Sequence, residues 1–430
     1  MLELTLIFSF IFFWYLSKKL TGTVFNSFLL IMGPYLIIII INNIFAYKFG
    51  FFKISNGAIL VHLLAFSSFF AGAAYKVGII NPLKNKLNRK RHFASSQIDI
   101  NDPSFLRFIN IFVTVVGLLC LANIFLSFRT LNSVGGGNLE HLAAKGVLGH
   151  LLLGARIFVP ILLDVGLQKK NKRYLFSSIL IIIVTFSSFI KYHIIGLTLY
   201  LYSYFFWKNR KKIIKYTFLL IIGVFALFSV NYIIDFLSKG LTYDFYGSDY
   251  YVRKFWHYIA GGTIKVNDLV GNETVTYNMF DFIIHNAAAY PNMFIQKVGL
   301  DVIEPFGHFG TVEGFTPIGY NINSNVISFL GQMYNNGAIM PFVFLTFLFG
   351  LIAQSCWDAI RFSSKVNKVL SSSIIFSFFL FSFFHNMWRG AIQPWELTIF
   401  AYILPVLFWK LTRRRRDVTK LKSDIGCVSK

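Results

Sequence analysis

Residues 24–46 read VFNSFLLIMGPYLIIIIINNIFA, an apolar stretch without a single charged side chain. A helix that spans a bilayer needs about 20 apolar residues, and this stretch is long enough. The rest of the chain is similar in character, because 56% of its 430 residues are hydrophobic and only 14% are charged. A soluble domain carries about a quarter charged residues. The composition excludes a soluble globular protein and a disordered one, and it predicts an integral membrane protein.

Apolar runs of this kind recur along the whole sequence, which predicts an all-α polytopic integral membrane protein with about 11 transmembrane helices. The runs cover residues 4–16, 24–46, 58–80, 105–128, 147–166, 175–190, 194–207, 216–237, 325–353, 369–384 and 392–409. The sixth and seventh runs are short, and only Lys191-Tyr192-His193 separates them. They form either a tight hairpin or one bent element.

The net charge of +23 is concentrated in short clusters between the apolar runs. These clusters lie at residues 18–19, 84–91 with Arg107, 169–173, 208–215, 361–368 and 410–430. A basic chain can indicate nucleic-acid binding. Here, however, the clusters fall in every second connection, as the positive-inside rule requires for cytoplasmic loops. We therefore expect no nucleic-acid partner, an N-terminus outside the cell and a C-terminal tail in the cytoplasm.

The predicted organisation has four parts. They are residues 1–238 with transmembrane helices 1–8, an extracytoplasmic loop at 239–324, residues 325–409 with helices 9–11, and a basic cytoplasmic tail at 410–430. A loop as long as the second part is usually functional or disordered. Its aromatic residues and glycines favour an ordered unit with short helices, such as residues 280–289, at the membrane interface.

The loop contains the sequence YYVRKFWHYIAGG at residues 250–262, in which two cations and a histidine lie among aromatic residues. Aromatic faces stack on sugars, and an arginine binds phosphate oxygens through two parallel hydrogen bonds. The paired glycines would let the backbone turn tightly beside a ligand. The alternative is a belt of interfacial aromatic residues with snorkelling cations. The sugar-binding candidates are Tyr250, Tyr251, Trp256 and Tyr258, and the diphosphate-binding candidates are Arg253 and Lys254.

Further cations lie inside or beside the apolar runs, where ionisable residues are costly and tend to be functional. Arg156 lies within the fifth run, and Asp164 follows eight residues later on a similar face. The two form either a buried ion pair or part of a phosphate site. Arg129, Lys191 and Arg389 lie at predicted outer ends of helices. Each alone is explained by a headgroup contact, but together they indicate an anionic ligand on the outer side.

No histidines or carboxylates show the spacing of metal ligands, and no nucleotide-binding or nucleophile-elbow motif is present. We therefore expect neither a metal nor a cofactor. The candidates for a general base are His257, Asp281, His308 and Glu313.

Two motifs carry a family resemblance. The first is Tyr258-Ile259-Ala260-Gly261-Gly262, and the second is Asn325-Val326 followed by Tyr334-Asn335-Asn336-Gly337 at the opening of a helix. In these residues the chain resembles the bacterial oligosaccharide repeat-unit polymerases, the Wzy group of O-antigen and capsule assembly. Many relatives carry Asp-Phe-Gly where this chain has Asn335-Asn336-Gly337.

The resemblance implies a GT-C-like fold in the bacterial cytoplasmic (inner) membrane, with the large loop outside. It implies an inverting glycosyltransferase that moves the growing chain from undecaprenyl diphosphate onto a new lipid-linked repeat unit. Its ligands would be an undecaprenyl diphosphate-linked glycan and membrane lipid, and its partners a chain-length regulator and a flippase of the same pathway. The cations would stabilise the leaving diphosphate. Asn325 and Tyr334 would join the sugar-binding residues.

Other classes stay open at this point. An O-antigen ligase shares the donor chemistry but uses a lipid A core as acceptor. A flippase or transporter of lipid-linked sugars often shows two similar halves with broken helices, and we find no such halves. A membrane O-acetyltransferase would carry a reactive histidine facing a cytoplasmic acyl donor, whereas the polar residues here lie on the predicted outer side.

Overall fold

The computed structural model describes residues 1–82, 98–134, 146–187, 191–208, 215, 217–219, 222–223, 226, 229, 247–271, 279–303, 315–324, 326–334, 338–385, 388 and 392–427. Its side chains are described except at 127–134, 191–192, 247–252, 279–281, 413–427 and a few single residues. Within these ranges the chain is mostly helical, and its strands form one short hairpin.

Capping residues mark several ends of the first three helices. These helices are α1 (Leu2–Thr21), α2 (Ser27–Ile44) and α3 (Asn56–Tyr75), the last continuing as a π-helical turn over Lys76–Ile80. α1 ends at Gly22, whose φ of 67° is left-handed. The side chains of Asn26 and Ser55 accept hydrogen bonds from backbone N–H groups in the first turns of α2 and α3.

The remaining elements follow in chain order. They are α4 (Pro103–Val134), α5 (Gly146–Gln168), α6 (Lys172–Ser187) and α7 (Lys191–Lys208), then α8 (Gly247–Ile264), α9 (Val266–Gly271), α10 (Met279–Ala287) and α11 (Ala289–Lys297). The antiparallel hairpin of β1 (Thr316–Gly319) and β2 (Ile322–Ser324) precedes α12 (Phe329–Tyr334), α13 (Ile339–Phe362), α14 (Val366–Leu380) and α15 (Ile392–Cys427). Asn321 makes the hairpin turn with a left-handed φ of 57°.

Seven described helices are long and apolar enough to cross a membrane. They are Leu2–Thr21, Ser27–Ile44, Asn56–Ile80, Pro103–Leu126, Gly146–Gln168, Ile339–Phe362 and Gln393–Thr412. The chain is therefore an α-helical polytopic membrane protein. Three other predicted runs coincide with α6, α7 and α14, which are helical but not among these seven. The run at 216–237 lies largely outside the described residues, so the number of about 11 stays a prediction.

One predicted boundary is wrong. The run expected over 325–353 is divided into the short helix α12 and the long helix α13, which begins only at Ile339 and continues to Phe362. In the sequence, Asn335-Asn336-Gly337 separates the two helices. These three residues lie outside the described part of the chain; by sequence, Asn and Gly are weak helix formers.

The chain forms two compact units. Unit 1 comprises Met1–Ala94, Tyr232–Asp358 and Phe376–Trp395, and unit 2 comprises Ser95–Asn231, Ala359–Ile375 and Glu396–Lys430. The four-part division predicted above concerns the sides of the membrane and stays a prediction.

In unit 1, α3 and α13 touch backbone to backbone. A Cβ added to Gly72 would lie 1.9 Å from the carbonyl oxygen of Phe347, and one added to Gly350 would lie 2.0 Å from that of Phe69. The rings of Phe69 and Phe349 pack edge to face beside this contact, with centroids 5.2 Å apart. Close approach through small residues is the usual packing mode of helices in a bilayer, where the hydrophobic effect does not drive helices together.

In unit 2, α6 and α7 form a hairpin against α5. Ser178 of α6 donates a hydrogen bond to the carbonyl of Val159, and Thr185 further along α6 accepts one from the earlier residue Arg156, so α5 and α6 are antiparallel. On α7, Tyr200 bonds to Ile157 and Tyr204 to Asp164, so α5 and α7 are parallel. These contacts favour the tight hairpin over the bent element.

Candidate functional site

Arg253 lies on the exposed side of α8 and is anchored by its own Nε, which donates a 2.7 Å hydrogen bond to the carbonyl of Phe49. Gly50 has a φ of 89°, and a Cβ added there would lie 2.9 Å from Nη2 of Arg253. Among the described residues, no carboxylate pairs with this guanidinium. Both terminal nitrogens of an oriented arginine are therefore left for an anion, the geometry that bidentate phosphate binding needs.

Two of the predicted sugar-binding aromatic residues help to hold α8 in place. Trp256 donates from Nε1 to Oδ1 of Asn42 at the end of α2, over 3.0 Å. Tyr258 stacks on Phe384 with ring centroids 5.3 Å apart and planes 12° from parallel. One ring face of Tyr258 is thus used in packing. Sugar binding by these residues stays a prediction.

The predicted role of Gly261-Gly262 is wrong, because these residues lie inside α8 and make no turn. A Cβ at Gly262 would lie 2.1 Å from the carbonyl oxygen of Phe384, and one at Gly261 would lie 2.8 Å from Oγ of Ser324. The backbone N–H of Ser328 donates to the carbonyl of Gly262 at 3.1 Å. The glycines therefore permit other backbone segments to touch the helix.

The connection between α2 and α3, residues 50–55, is fixed by side-chain amides and by β1. The segment forms an isolated antiparallel bridge to Gly319. Asn43 bonds to both backbone groups of Ile54, at 3.2 Å to the oxygen and 2.7 Å from the nitrogen. Asn267 makes two further bonds to this segment, each 2.8 Å long. Irregular backbone in a membrane protein must be satisfied by polar neighbours, and these bonds hold the segment that directly follows Phe49, the partner of Arg253.

Three other candidates also lie in unit 1. His257 and Lys254 are half-buried on α8. Tyr334 ends α12 and packs edge to face on Phe342, with ring centroids 5.4 Å apart. Lys265 follows α8 and is only 1% exposed, and the sequence analysis passed it over. Its position in a predicted aqueous loop gave no sign that it would be buried.

In unit 2, Arg156 and Asp164 are both buried but do not form the ion pair considered above. Arg156 donates from Nε to Oγ1 of Thr185 at 3.1 Å. Asp164 accepts from Gln168 at 2.6 Å and lies 3.5 Å from Nζ of Lys208. Although the two residues lie on one helix, each turns toward a different neighbour. Phosphate binding by Arg156 stays a prediction.

Unit 2 also contains a histidine–carboxylate pair near the starts of α5 and α15. Nδ1 of His150, near the start of α5, is 2.6 Å from Oε1 of Glu396, near the start of α15. Glu396 is 3% exposed, and its Oε2 has no hydrogen-bond partner among the described residues. The sequence analysis did not select Glu396. Its position inside the apolar run 392–409 could have identified it, because acidic residues are rare within membranes and tend to be functional.

The other predicted residues fall wholly or partly outside the described part. His308, Glu313, Asn325 and Arg389 lie outside it altogether. For Asp281 on α10, Arg129 on α4, Lys191 at the start of α7, and Tyr250 and Tyr251 on α8, only the helical backbone is described. The candidates are thus shared between the two units: Arg253, Lys254, Trp256, His257, Tyr258 and Tyr334 belong to unit 1, and Arg156, Arg129 and Lys191 to unit 2.

Comparison with models of protein families, with curated proteins and with solved structures finds nothing that matches this chain.

Proposed function

We propose that this protein polymerises undecaprenyl diphosphate-linked oligosaccharide repeat units into O-antigen or capsular polysaccharide at the outer face of the cytoplasmic membrane. The growing chain would leave its lipid carrier and join a new lipid-linked repeat unit. The main support is Arg253. Its guanidinium is exposed, oriented by the carbonyl of Phe49, and without a carboxylate partner among the described residues.

The proposed reaction is a direct displacement. A hydroxyl of the acceptor sugar attacks the anomeric carbon of the donor, and the lipid diphosphate departs with the electron pair. Negative charge then grows on the leaving oxygen, and a guanidinium already held in position stabilises that charge. In-line attack inverts the anomeric carbon. His257, Asp281, His308 and Glu313 are the bases that the sequence offers for the hydroxyl.

Membrane anchoring and surface chemistry are consistent with this substrate. The seven apolar helices provide a lipid-facing surface for a polyprenyl tail. Aromatic residues flank Arg253 in the sequence of α8, and such residues bind the apolar faces of sugars. The outer position of α8 rests on the distribution of basic clusters and is part of the proposal.

A deletion strain tests the function directly. Loss of a polymerase should leave a single repeat unit on the surface acceptor. Loss of a flippase should leave none, and loss of a ligase should leave full-length polymer on the undecaprenyl carrier. A gel of surface and carrier-bound glycans separates the three outcomes. Polymer of normal length in the deletion strain would contradict the proposal, and restoration by the plasmid-borne gene is the control.

A further inference from the structure

Two exposed aromatic residues lie close to Arg253 without belonging to α8. Phe52 is in the connection between α2 and α3, and Tyr320 is at the turn of the β1–β2 hairpin. Their rings pack edge to face with centroids 5.6 Å apart, and Tyr320 is 75% exposed. Both residues belong to unit 1, as Arg253 does. The pair therefore presents open aromatic surface within the same unit as the proposed diphosphate site.

Backbone hydrogen bonds fix this pair in place. The N–H of Phe52 donates to the carbonyl of Ile318, and the N–H of Tyr320 donates to the carbonyl of Gly50, each at 2.8 Å. Phe52 and Tyr320 are thus diagonal neighbours across an antiparallel bridge, a position from which aromatic side chains reach each other. A surface that is already ordered in this way loses little conformational freedom when a ligand binds.

Gly50 joins the aromatic pair to Arg253. Its carbonyl accepts the hydrogen bond from Tyr320, and a Cβ added to it would lie 2.9 Å from Nη2 of Arg253. The guanidinium and the hairpin turn therefore approach the same residue. In a lipid-linked glycan the first sugar is bonded directly to the diphosphate. A site that binds the diphosphate through Arg253 consequently needs its sugar contacts close by, which is where Tyr320 lies.

The exposed face of the hairpin carries amides beside the aromatic ring. Asn321 and Asn323 are exposed, whereas Thr316 and Ser324, which pair with each other, are buried. An amide both donates and accepts hydrogen bonds, as sugar hydroxyls do. Acyl chains offer such amides no partner. Aromatic surface with a few polar groups that fix orientation is typical of small-molecule sites, so this surface fits a sugar better than a lipid tail.

We propose that the β1–β2 hairpin binds the sugar that is attached to the diphosphate. Tyr320 and Phe52 contact the apolar face of this sugar, and the amides of Asn321 and Asn323 bond to its hydroxyls. This role rests on the function proposed above and assigns substrate recognition to a part of the chain outside α8. Arg253 holds the diphosphate, and the hairpin selects the glycan and takes no part in bond breaking.

Removing the ring of Tyr320 tests the contact. Full-length protein in detergent is titrated with two probes, undecaprenyl diphosphate-linked repeat units extracted from the deletion strain and undecaprenyl diphosphate alone. Tyr320→Ala should raise the Kd of the repeat units by about tenfold, a change of about 1.4 kcal/mol that is within the usual worth of an aromatic contact. Tyr320→Phe keeps the ring and should recover most of the affinity. Neither variant should change the Kd of undecaprenyl diphosphate, which carries no sugar.

Tyr75 provides the matched control. It is an exposed tyrosine of the same unit whose ring also packs on a phenylalanine, Phe347, with centroids 5.8 Å apart. It ends α3, about 30 Å along that helix from the connection that contains Phe52. Tyr75→Ala should therefore bind both probes as the wild type does.

The outcomes separate this role from the proposed function. An unchanged Kd of the repeat units for Tyr320→Ala would overturn the sugar contact. An equal loss for both probes would identify an interfacial lipid contact instead and would also overturn it. Arg253→Ala should weaken the binding of both probes, because both contain the diphosphate. Wild-type protein that binds neither probe and forms no polymer would overturn the proposed function itself, and the role of the hairpin with it.

Wild-type protein gives a measurement that does not depend on the folding of a variant. In hydroxyl-radical footprinting, the lipid-linked repeat units should protect Tyr320 from oxidation and leave Tyr75 unprotected, as read by mass spectrometry of the peptides. Undecaprenyl diphosphate alone should protect neither ring. Equal oxidation of Tyr320 with and without the repeat units would overturn the proposal.

Discussion

Replacing Gly72 or Gly350 by alanine should force α3 and α13 apart. The added Cβ at Gly72 would lie 1.9 Å from the oxygen of Phe347, and real Cβ atoms essentially never come closer than 3.0 Å to such an atom. One helix must therefore retreat by about 1.1 Å. A gap of about 0.5–1 Å already removes a quarter to a half of the dispersion attraction between facing atoms. The side chains beside the contact, including Phe69 and Phe349, would lose this fraction of their dispersion attraction.

The expected cost of each substitution follows from this displacement. Overpacking of a tight contact costs about 1–3 kcal/mol, and the better helix propensity of alanine returns up to about 1 kcal/mol. The net loss should lie between about 0 and 3 kcal/mol for either variant, with about 1–2 kcal/mol in the middle of that range. Because both alanines separate the same two helices, the double variant should lose less than the sum of the two, as expected for sites that share a contact.

The assay is thermal unfolding of the full-length protein in detergent, followed by tryptophan fluorescence and by size-exclusion chromatography. Unfolding of such proteins is often irreversible, so midpoints are compared at one fixed heating rate. Gly78→Ala is the matched control, because Gly78 lies in the π-helical turn that continues α3 and has open space around it. A midpoint for Gly72→Ala equal to that of Gly78→Ala would refute the backbone contact, and strictly additive losses would refute the shared displacement.

Three further outcomes are expected. Arg253→Ala should lower turnover by roughly 10²–10³-fold, the scale of losing one transition-state donor, and Arg253→Lys should recover only part of it. Lys53→Ala is the control, since Lys53 is an exposed cation 4.2 Å from the ring of Tyr47; equal turnover in both alanine variants would remove Arg253 from the site. A cysteine at Gly271 should react with an impermeant maleimide in spheroplasts and one at Ser423 should not, and reversed labelling would overturn the predicted topology. Polymer formation should persist in excess EDTA, because the sequence shows no metal-ligand spacing; a loss that magnesium restores would reveal a missed site.

The sequence predicts local features of this fold well and contacts between distant residues poorly. The apolar run at 24–46 correctly predicts α2, because the length of an apolar run is a property of neighbouring residues. Gly261-Gly262 fits a tight turn as well as a closely packed helix. The glycines are needed because distant segments touch the helix there, among them the carbonyl of Phe384 more than a hundred residues later.

The candidate site shows the same limit. Arg253 was selected from its aromatic neighbours, but its bond to Phe49 depends on a segment about two hundred residues earlier. Glu396 and His150 are 246 positions apart, so no spacing rule joins them. Arg156 and Asp164 lie about two turns apart on one helix, yet Arg156 bonds to Thr185 and Asp164 pairs with Lys208.

The order of synthesis determines when the hydrogen bonds that hold residues 50–55 can form. Asn43 and the segment emerge early, whereas Asn267 and Gly319 emerge more than two hundred residues later. At about 5–20 residues per second, the ribosome needs roughly 15–50 s to reach them. During that time α2 and α3 have already been synthesised. The backbone N–H and C=O groups between them must then form hydrogen bonds with water or with a helper protein. A nascent chain that stops before Gly319 therefore presents this connection unfinished, in the form that membrane quality control can recognise.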